Sequence, residues 1–166
     1  MLTLFFDGLC EPVNPGGIAC VGFVVYLDKD KIGEGSGFIG AGYLGDYTSN
    51  NVAEYRAVIE GLRWLLVHGY EGSELTVKGD SQLIIKQLRG EYQVKSKRLK
   101  PLHEETLKLL RKFKLMMLEW IPREENREAD ALSRQAYLRF LKEHPEALLI
   151  YGARSRRRKP GPPKFN

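Results

Sequence analysis

The hydrophobic period of this chain first changes near residue 48, and that change restricts the fold more than any other feature. Three β-rich runs precede it. Residues 2–7 are short and apolar and stop at Gly8, residues 18–27 are rich in Val, Phe and Tyr, and residues 32–42 return after the polar turn Asp28-Lys29-Asp30-Lys31. Short connections between such runs predict an antiparallel meander. The glycines at 33, 35, 37, 40 and 42 weaken the third run and mark it as an edge strand. After Thr48-Ser49-Asn50-Asn51, apolar residues recur at Tyr55, Val58, Ile59, Leu62, Leu65 and Leu66. That is helical spacing behind good N-cap residues. Residues 74–79 then read as a strand ending at Asp80, and 83–88 as a short helix closed by Gly90. A helix over 99–113 carries Pro101 in its first turn, where proline is tolerated. A strand over 115–121 stops at Pro122, and the last helix runs from 126 to about 141. The order is βββαβααβα. Strands alternating with helices pair in parallel, so an α/β fold with a mixed sheet is expected.

The length of 166 residues fits one domain. With 43% hydrophobic and 28% charged residues, the composition excludes general disorder. The longest apolar runs, such as Trp64-Leu65-Leu66-Val67, fall far short of the roughly 20 residues a membrane helix needs. The N-terminal Met-Leu-Thr-Leu-Phe-Phe-Asp has neither a basic region nor a cleavage signature, so no secretory signal is expected. Cys10 and Cys20 match no metal-finger spacing, and a reducing, cytoplasmic setting is the default. Charge is uneven. Residues 154–166 carry six Lys/Arg and no acid, so the net +5 leaves the remainder at −1. Between 95 and 114, eight Lys/Arg stand against Glu104 and Glu105. Such segments serve a polyanion partner or simple solubility, and charge alone does not decide between them. From residue 153 onward Arg, Lys and Pro dominate and the apolar period ends. The expected organisation is a domain over 1–150 followed by a mobile basic tail over 151–166.

Four acids stand out. Asp7 closes the first apolar run, Glu54 sits in the first turn of its helix on the rim of the apolar face, Asp80 ends the fourth strand, and Asp130 lies in the first turns of the last helix. Each alone has a structural use: a turn with Gly8, a helix N-terminal charge for Glu54 and Asp80, or a pair with Arg127 or Arg134 for Asp130. Together they point elsewhere. Carboxyl ends of neighbouring strands in an α/β sheet converge on one crevice. Four carboxylates without an equal number of basic partners repel, and the usual remedy is a hard divalent cation held through oxygen. With no His or Cys among them, Mg²⁺ or Mn²⁺ is favoured, and phosphodiester chemistry is the common use of paired ions in such a site.

The segments carrying these acids are Asp7-Gly8 with Asn14-Pro15-Gly16-Gly17, Ser49-Asn50-Asn51-Val52-Ala53-Glu54-Tyr55, Gly79-Asp80-Ser81-Gln82-Leu83, and Arg123-Glu124-Glu125-Asn126-Arg127-Glu128-Ala129-Asp130-Ala131-Leu132. In this order they resemble type 1 ribonuclease H of the compact archaeal and bacterial kind, over residues 1 to about 140. The resemblance implies a ribonuclease H-like fold, a five-stranded mixed sheet of order 3-2-1-4-5 flanked by helices. It implies an endoribonuclease that cuts the RNA strand of RNA–DNA hybrids with two metal ions, leaving 5′-phosphate and 3′-hydroxyl ends, in a replication-linked role. By position, Asp7 would bridge both ions, Glu54 and Asp80 would hold the one that activates water, and Asp130 the one beside the leaving 3′-oxygen.

Many family members carry a histidine in the loop before the last acid; here His68, His103 and His144 lie elsewhere and Arg123 stands in that loop. A guanidinium does not shuttle protons at neutral pH but can hold phosphate or help product and metal leave; the plain alternative is a surface arginine after Pro122. Gly8, Cys10, Asn14, Ser49, Asn50, Asn51 and Gln82 match substrate-contacting positions. The amides of Asn14, Asn50, Asn51 and Gln82 suit the minor groove and the RNA 2′-hydroxyl. Ser49 matches a position that holds a DNA-strand phosphate, and either Asn50 or Asn51 could instead cap the helix. Cys10 is expected in a partly exposed loop at the RNA backbone, and Cys20 in the core. Two departures stand against the family pattern: the stretch 90–99 is short, although it holds Lys95, Lys97, Arg98 and Lys100, and the basic tail lies outside the family core. A monomer binding RNA–DNA hybrid, with double-stranded RNA left open as a second substrate and no membrane partner, is the expectation. Another nuclease on this fold (structure-specific or associated with a reverse transcriptase) and a non-catalytic nucleic-acid-binding module are the alternatives.

Overall fold

The computed structural model describes residues 1–157, with backbone alone at 156 and 157. Its strands are β1 Leu2–Glu11, β2 Ile18–Leu27, β3 Asp30–Ala41, β4 Glu74–Gly79 and β5 Lys114–Trp120. Its helices are α1 Asn50–Val67, α2 Gln82–Leu88, α3 Lys100–Leu110, α4 Arg127–Glu143 and α5 Glu146–Arg157, with 3-10 turns at Gly42–Leu44 and Arg123–Glu125. The sheet order is β3-β2-β1-β4-β5, as the sequence resemblance implied. The meander β1–β2–β3 is antiparallel, and β4 and β5 join in parallel.

Side-chain alternation along the strands divides the interior between the two faces of the sheet. Leu2, Leu4 and Phe6 of β1 join Val21, Phe23 and Val25 of β2 in the larger core, under the α1, α2 and α3 residues Tyr55, Leu62, Ile84, Ile85 and Leu110. On the other face, Leu9, Ile18 and Cys20 pack against Ala136, Tyr137 and Phe140 of α4. Cys20 is fully buried there, as expected of a small core residue.

Two glycines bring the helices unusually close to the sheet. A Cβ added at Gly8 would lie 2.3 Å from the Ala53 carbonyl carbon and 2.4 Å from the Glu54 nitrogen. One at Gly22 would lie 2.4 Å from the Ala129 oxygen and 2.6 Å from the Ser133 nitrogen. Gly8 therefore admits α1, and Gly22, the partner of Asp7 in the β1–β2 register, admits α4. The carboxylate of Asp7 is approached from both sides.

Two sequence expectations change. β1 does not stop at Gly8: its antiparallel pairing with β2 continues to Glu11↔Ile18. What stops near Asp7 is the parallel ladder to β4, whose last pair is Phe6↔Gly79. Asp7 and Asp80 are each the first residue beyond that ladder, which keeps them adjacent although Asp7 lies mid-strand. The boundary expected at residue 150 falls inside α5, so 151–157 is helix and not tail. Ala147 and Tyr151, four residues apart, are buried against the α4-side core. Exposed Leu148 and Leu149 and the neighbouring arginines blur this stripe in the sequence. The remainder of the expected mobile tail, 158–166, lies outside the described residues. No helix of the described residues is long and apolar enough to cross a membrane.

Candidate active site

Asp7, Glu54 and Asp80 each offer a carboxylate oxygen, and these atoms lie within 4.8 Å of one another. The end of the β1–β4 ladder supplies the first and third, and the close approach of α1 at Gly8 supplies the second. Asp7 and Glu54 are only 6% and 5% exposed. Asp130 stands outside this triad, on the first turn of α4, but lines the same cleft of about 360 Å³. Asn50, Asn51, Ser81, Arg123 and Arg134 complete much of its wall. A larger cleft of about 520 Å³ beside Phe5, Tyr26 and Lys78 contains none of the four acids, so size does not identify the site.

The charge of the cluster is costly as it stands. Burial, then the charges of Asp80 and Asp130, push the Asp7 carboxyl up to about 7. Burial drives Glu54 well above the ordinary carboxylate range, with Asp7 and Asp80 adding to the effect. Asp80 is also raised by burial, while the Arg123 guanidinium and Asn126 oppose the rise. Glu54 Oε2 is buried without a hydrogen-bond partner. An all-oxygen donor set, mutually repelling and with one acceptor unmet, fits a hard divalent cation. Arg123 Nη2 lies 3.7 Å from Asp130 Oδ1, so it partly neutralises the fourth acid while remaining 71% exposed.

Several supporting residues have no site role in the sequence reading: Asn126 stands in the fourth segment without one, and Arg134, offered there as a partner of Asp130, pairs with Glu11 instead. Ser133 Oγ lies 3.1 Å from Asp7 Oδ2 and 2.9 Å from the Asp130 carbonyl, and its one hydrogen serves one acceptor at a time. Asn126 is 1% exposed. Its Nδ2 donates to the Phe6 carbonyl at 2.9 Å, and its own carbonyl accepts from the Asp130 amide at 3.1 Å. One residue thus ties the backbone beside Asp7 to that of Asp130. Trp120 Nε1 donates to the Asp80 carbonyl at 3.1 Å. Arg134 forms a two-pronged pair with Glu11, at 2.5 and 2.9 Å, across the cleft mouth. The available signals were a buried-type Asn just before a helix and polar residues three and four positions beyond Asp130.

The substrate candidates are placed unevenly. Gly8, Asn50 and Asn51 line the cleft. Asn14 Oδ1 accepts from the Asn50 amide at 2.9 Å, so the β1–β2 loop and the start of α1 are joined. Ser49, not Asn50 or Asn51, is the N-cap of α1: its Oγ accepts from the Val52 amide at 3.1 Å. Its O–H remains able to donate. Gln82 opens α2 in an exposed position outside the cleft lining. Cys10 is not in an exposed loop: it lies within β1, is buried, and its thiol donates to the Val13 carbonyl at 3.3 Å. The extension of β1 past Gly8 accounts for the difference.

This sheet order, with three clustered carboxylates at the end of its central parallel pair and a fourth on the last long helix, defines the ribonuclease H-like class. A family model described as "Reverse transcriptase-like" matches residues 7–136. Ribonuclease HI of Halobacterium salinarum is 34% identical over 132 residues, covering 80% of this chain and 62% of that protein. The crystal structure of RNase H1 from the same archaeon superposes with a TM-score of 0.73 at 32% identity, covering 82% of this chain and 96% of that one. LC11-RNase H1, solved in complex with RNA/DNA hybrid, gives a TM-score of 0.75 at 32% identity, covering 85% and 99%. The chain belongs to the type 1 ribonuclease H family and is a hydrolase acting as a ribonuclease H.

Proposed function

We propose that this ribonuclease cuts the RNA strand of RNA–DNA hybrids with two divalent ions, leaving 5′-phosphate and 3′-hydroxyl ends. The observation that carries the reading is the triad of Asp7, Glu54 and Asp80, with Glu54 Oε2 unpartnered and Asp130 across the same cleft. Asp7, central among the acids, is the shared ligand. Glu54 and Asp80 would hold the ion that activates water, and Asp130 the ion that steadies the leaving oxygen. When bound, Mg²⁺ or Mn²⁺ supplies a hydroxide-like nucleophile at neutral pH and stabilises the departing 3′-oxyanion. The protein's own part is positioning. Ser133 holds the Asp7 carboxylate, Asn126 ties the backbone at Phe6 to that at Asp130, and Arg123, exposed and paired with Asp130, swings to phosphate.

Recognition falls to the joined loops. Asn14, Asn50 and Asn51 present amides able to donate to and accept from a 2′-hydroxyl, which is what separates RNA from DNA. Gly8 lets the backbone approach, Gln82 flanks the path of the RNA strand, and the Ser49 hydroxyl meets a phosphate of the DNA strand. The basic residues from Arg154 onward add phosphate contacts. The protein acts as a cytoplasmic monomer on hybrids formed during replication. The bound hybrid of LC11-RNase H1 supports this choice of substrate.

The test is cleavage of matched RNA–DNA, RNA–RNA and DNA–DNA duplexes, with Mg²⁺, with Mn²⁺ and with chelator. Metal-dependent cutting confined to the RNA strand, with 5′-phosphate products, is expected. Binding without cleavage would return the chain to a nucleic-acid-binding module, and cleavage of DNA would make it another nuclease of this fold.

A further inference from the structure

The loop between β1 and β2 is held from its own strand by one weak bond, from the Cys10 thiol to the Val13 carbonyl at 3.3 Å. Residues 12–17 include Pro12, Pro15, Gly16 and Gly17, and Gly16 has a φ of +94°, a backbone region that favours glycine. Yet this loop carries Asn14, which meets the start of α1 through the Asn50 amide. Its order comes from two sides. On the α1 side, the Gly16 amide donates to the Thr48 carbonyl at 2.9 Å, and the buried Thr48 hydroxyl donates to the Gly17 carbonyl at 2.7 Å. On the other side stands α5. The Tyr151 hydroxyl donates to the Gly16 carbonyl at 2.8 Å and accepts from the Tyr43 amide at 3.4 Å. The Gly42 amide donates to Gly17 at 3.1 Å, and a Cβ at Gly42 would lie 2.1 Å from the Gly16 oxygen. Tyr151 itself is 5% exposed and packs edge-on to Tyr43 at 5.7 Å between ring centres.

We propose that α5 is a brace for substrate recognition, with Tyr151 as a positioning residue that fixes the Asn14 loop against the first turn of α1. Tyr151 lies beyond residues 7–136, which the family model matches, and beyond the segment that carries the sequence resemblance. The brace acts on affinity. It touches no acid of the triad, so the chemical step is left to the carboxylates. Its effect on hybrid binding rests on the function proposed above; its effect on loop order does not.

Tyr151→Phe tests both halves, because it keeps the ring and removes only the hydroxyl. Hydrogen exchange should speed up at the amides of Gly16, Gly17, Tyr43 and Asn50 and stay unchanged in β4. The Michaelis constant for RNA–DNA hybrid should rise roughly 3- to 10-fold, the range expected for one hydrogen bond, with the turnover number within about twofold of wild type. In an Asn14→Ala background the same change should add little, since both act through one contact. Unchanged exchange in the loop overturns the brace, and so does additivity with Asn14→Ala. A fall in turnover at constant Michaelis constant also overturns it. If wild type itself neither binds nor cuts hybrid, the functional reading fails, and the exchange data alone then decide whether α5 orders the loop.

Discussion

Two neighbouring regions at the same edge of the sheet satisfy their polar groups in opposite ways. In the β1–β2 loop, α5, α1 and Thr48 just before α1 supply a partner for the Gly16 and Gly17 carbonyls, for the Gly16 amide and for the Asn14 side-chain oxygen. In the acid cluster next to it, three carboxylates face one another, all with raised pKa values, and Glu54 Oε2 has no partner. Folding selects for satisfied polar groups, so an unsatisfied, repelling cluster held by close packing points to a role outside folding. The satisfied region is suited to presenting a fixed surface. The unsatisfied one is suited to taking up positive charge.

The largest break in this contrast is Asp7→Asn. Removing the shared charge should lower hybrid cleavage by at least about 100-fold, the scale of a lost group that stabilises a charged transition state. The metal-free protein should be as stable as wild type or more so, because repulsion with Asp80 and Asp130 is relieved. Full activity of the variant at saturating Mg²⁺ would sink the assignment.

The pH dependence of metal-free stability sharpens the same point. The folded pKa of Asp7, about 7, lies above its ordinary 3.8, so the native state binds more protons than the unfolded chain between those values. Stability should therefore be highest below about pH 4 as far as this group is concerned, and fall as pH rises towards 7, by at most on the order of 4 kcal/mol. Thermal melting with chelator should show the decline, and Mg²⁺ should remove most of it at neutral pH. A melting temperature independent of pH over this window would contradict the electrostatic picture.

Arg123→Ala should have a smaller effect, lowering turnover roughly 3- to 10-fold with metal binding retained, as for loss of one ordinary hydrogen bond from an exposed side chain. Rates equal to wild type across pH would make Arg123 a surface partner of Asp130 and nothing more. Smallest is the effect of deleting 158–166, which removes Arg158, Lys159 and Lys164 and leaves α5 whole. The Michaelis constant at low salt should rise, and the salt slope should flatten by up to about 0.9 for each phosphate no longer neutralised. An unchanged slope would reduce the segment to a solubility device.

The contrast also explains what the sequence revealed. The acids were legible because carboxylates at strand ends and helix starts have no common structural purpose in such numbers, and the period change near residue 48 gave the element order. The satisfied region was hard to read. Its bonds run from side chain to backbone across long separations, Tyr151 to Gly16 and Thr48 to Gly17, and no local pattern encodes them. α5 was hidden for a related reason: two buried residues hold it, amid exposed leucines and arginines that conceal the stripe. The exposure expected of Cys10 failed because pairing with β2 outlasts pairing with β4, which only three-dimensional register shows. Ser133 reaches Asp7, and Asn126 reaches the Phe6 carbonyl beside it, through contacts 126 and 120 residues apart in sequence.

The central claim is that the acid cluster is a cation site whose protons leave when the ion arrives. Calorimetric titration of the protein with Mn²⁺ at pH 6.5, in buffers of different ionisation enthalpy, measures ion binding and proton release together. Wild type should bind with net proton release from the carboxyls of Asp7 and Glu54. Asp7→Asn should lose most of both. Binding without proton release, or equal binding and release in the Asp7→Asn protein, would contradict the account.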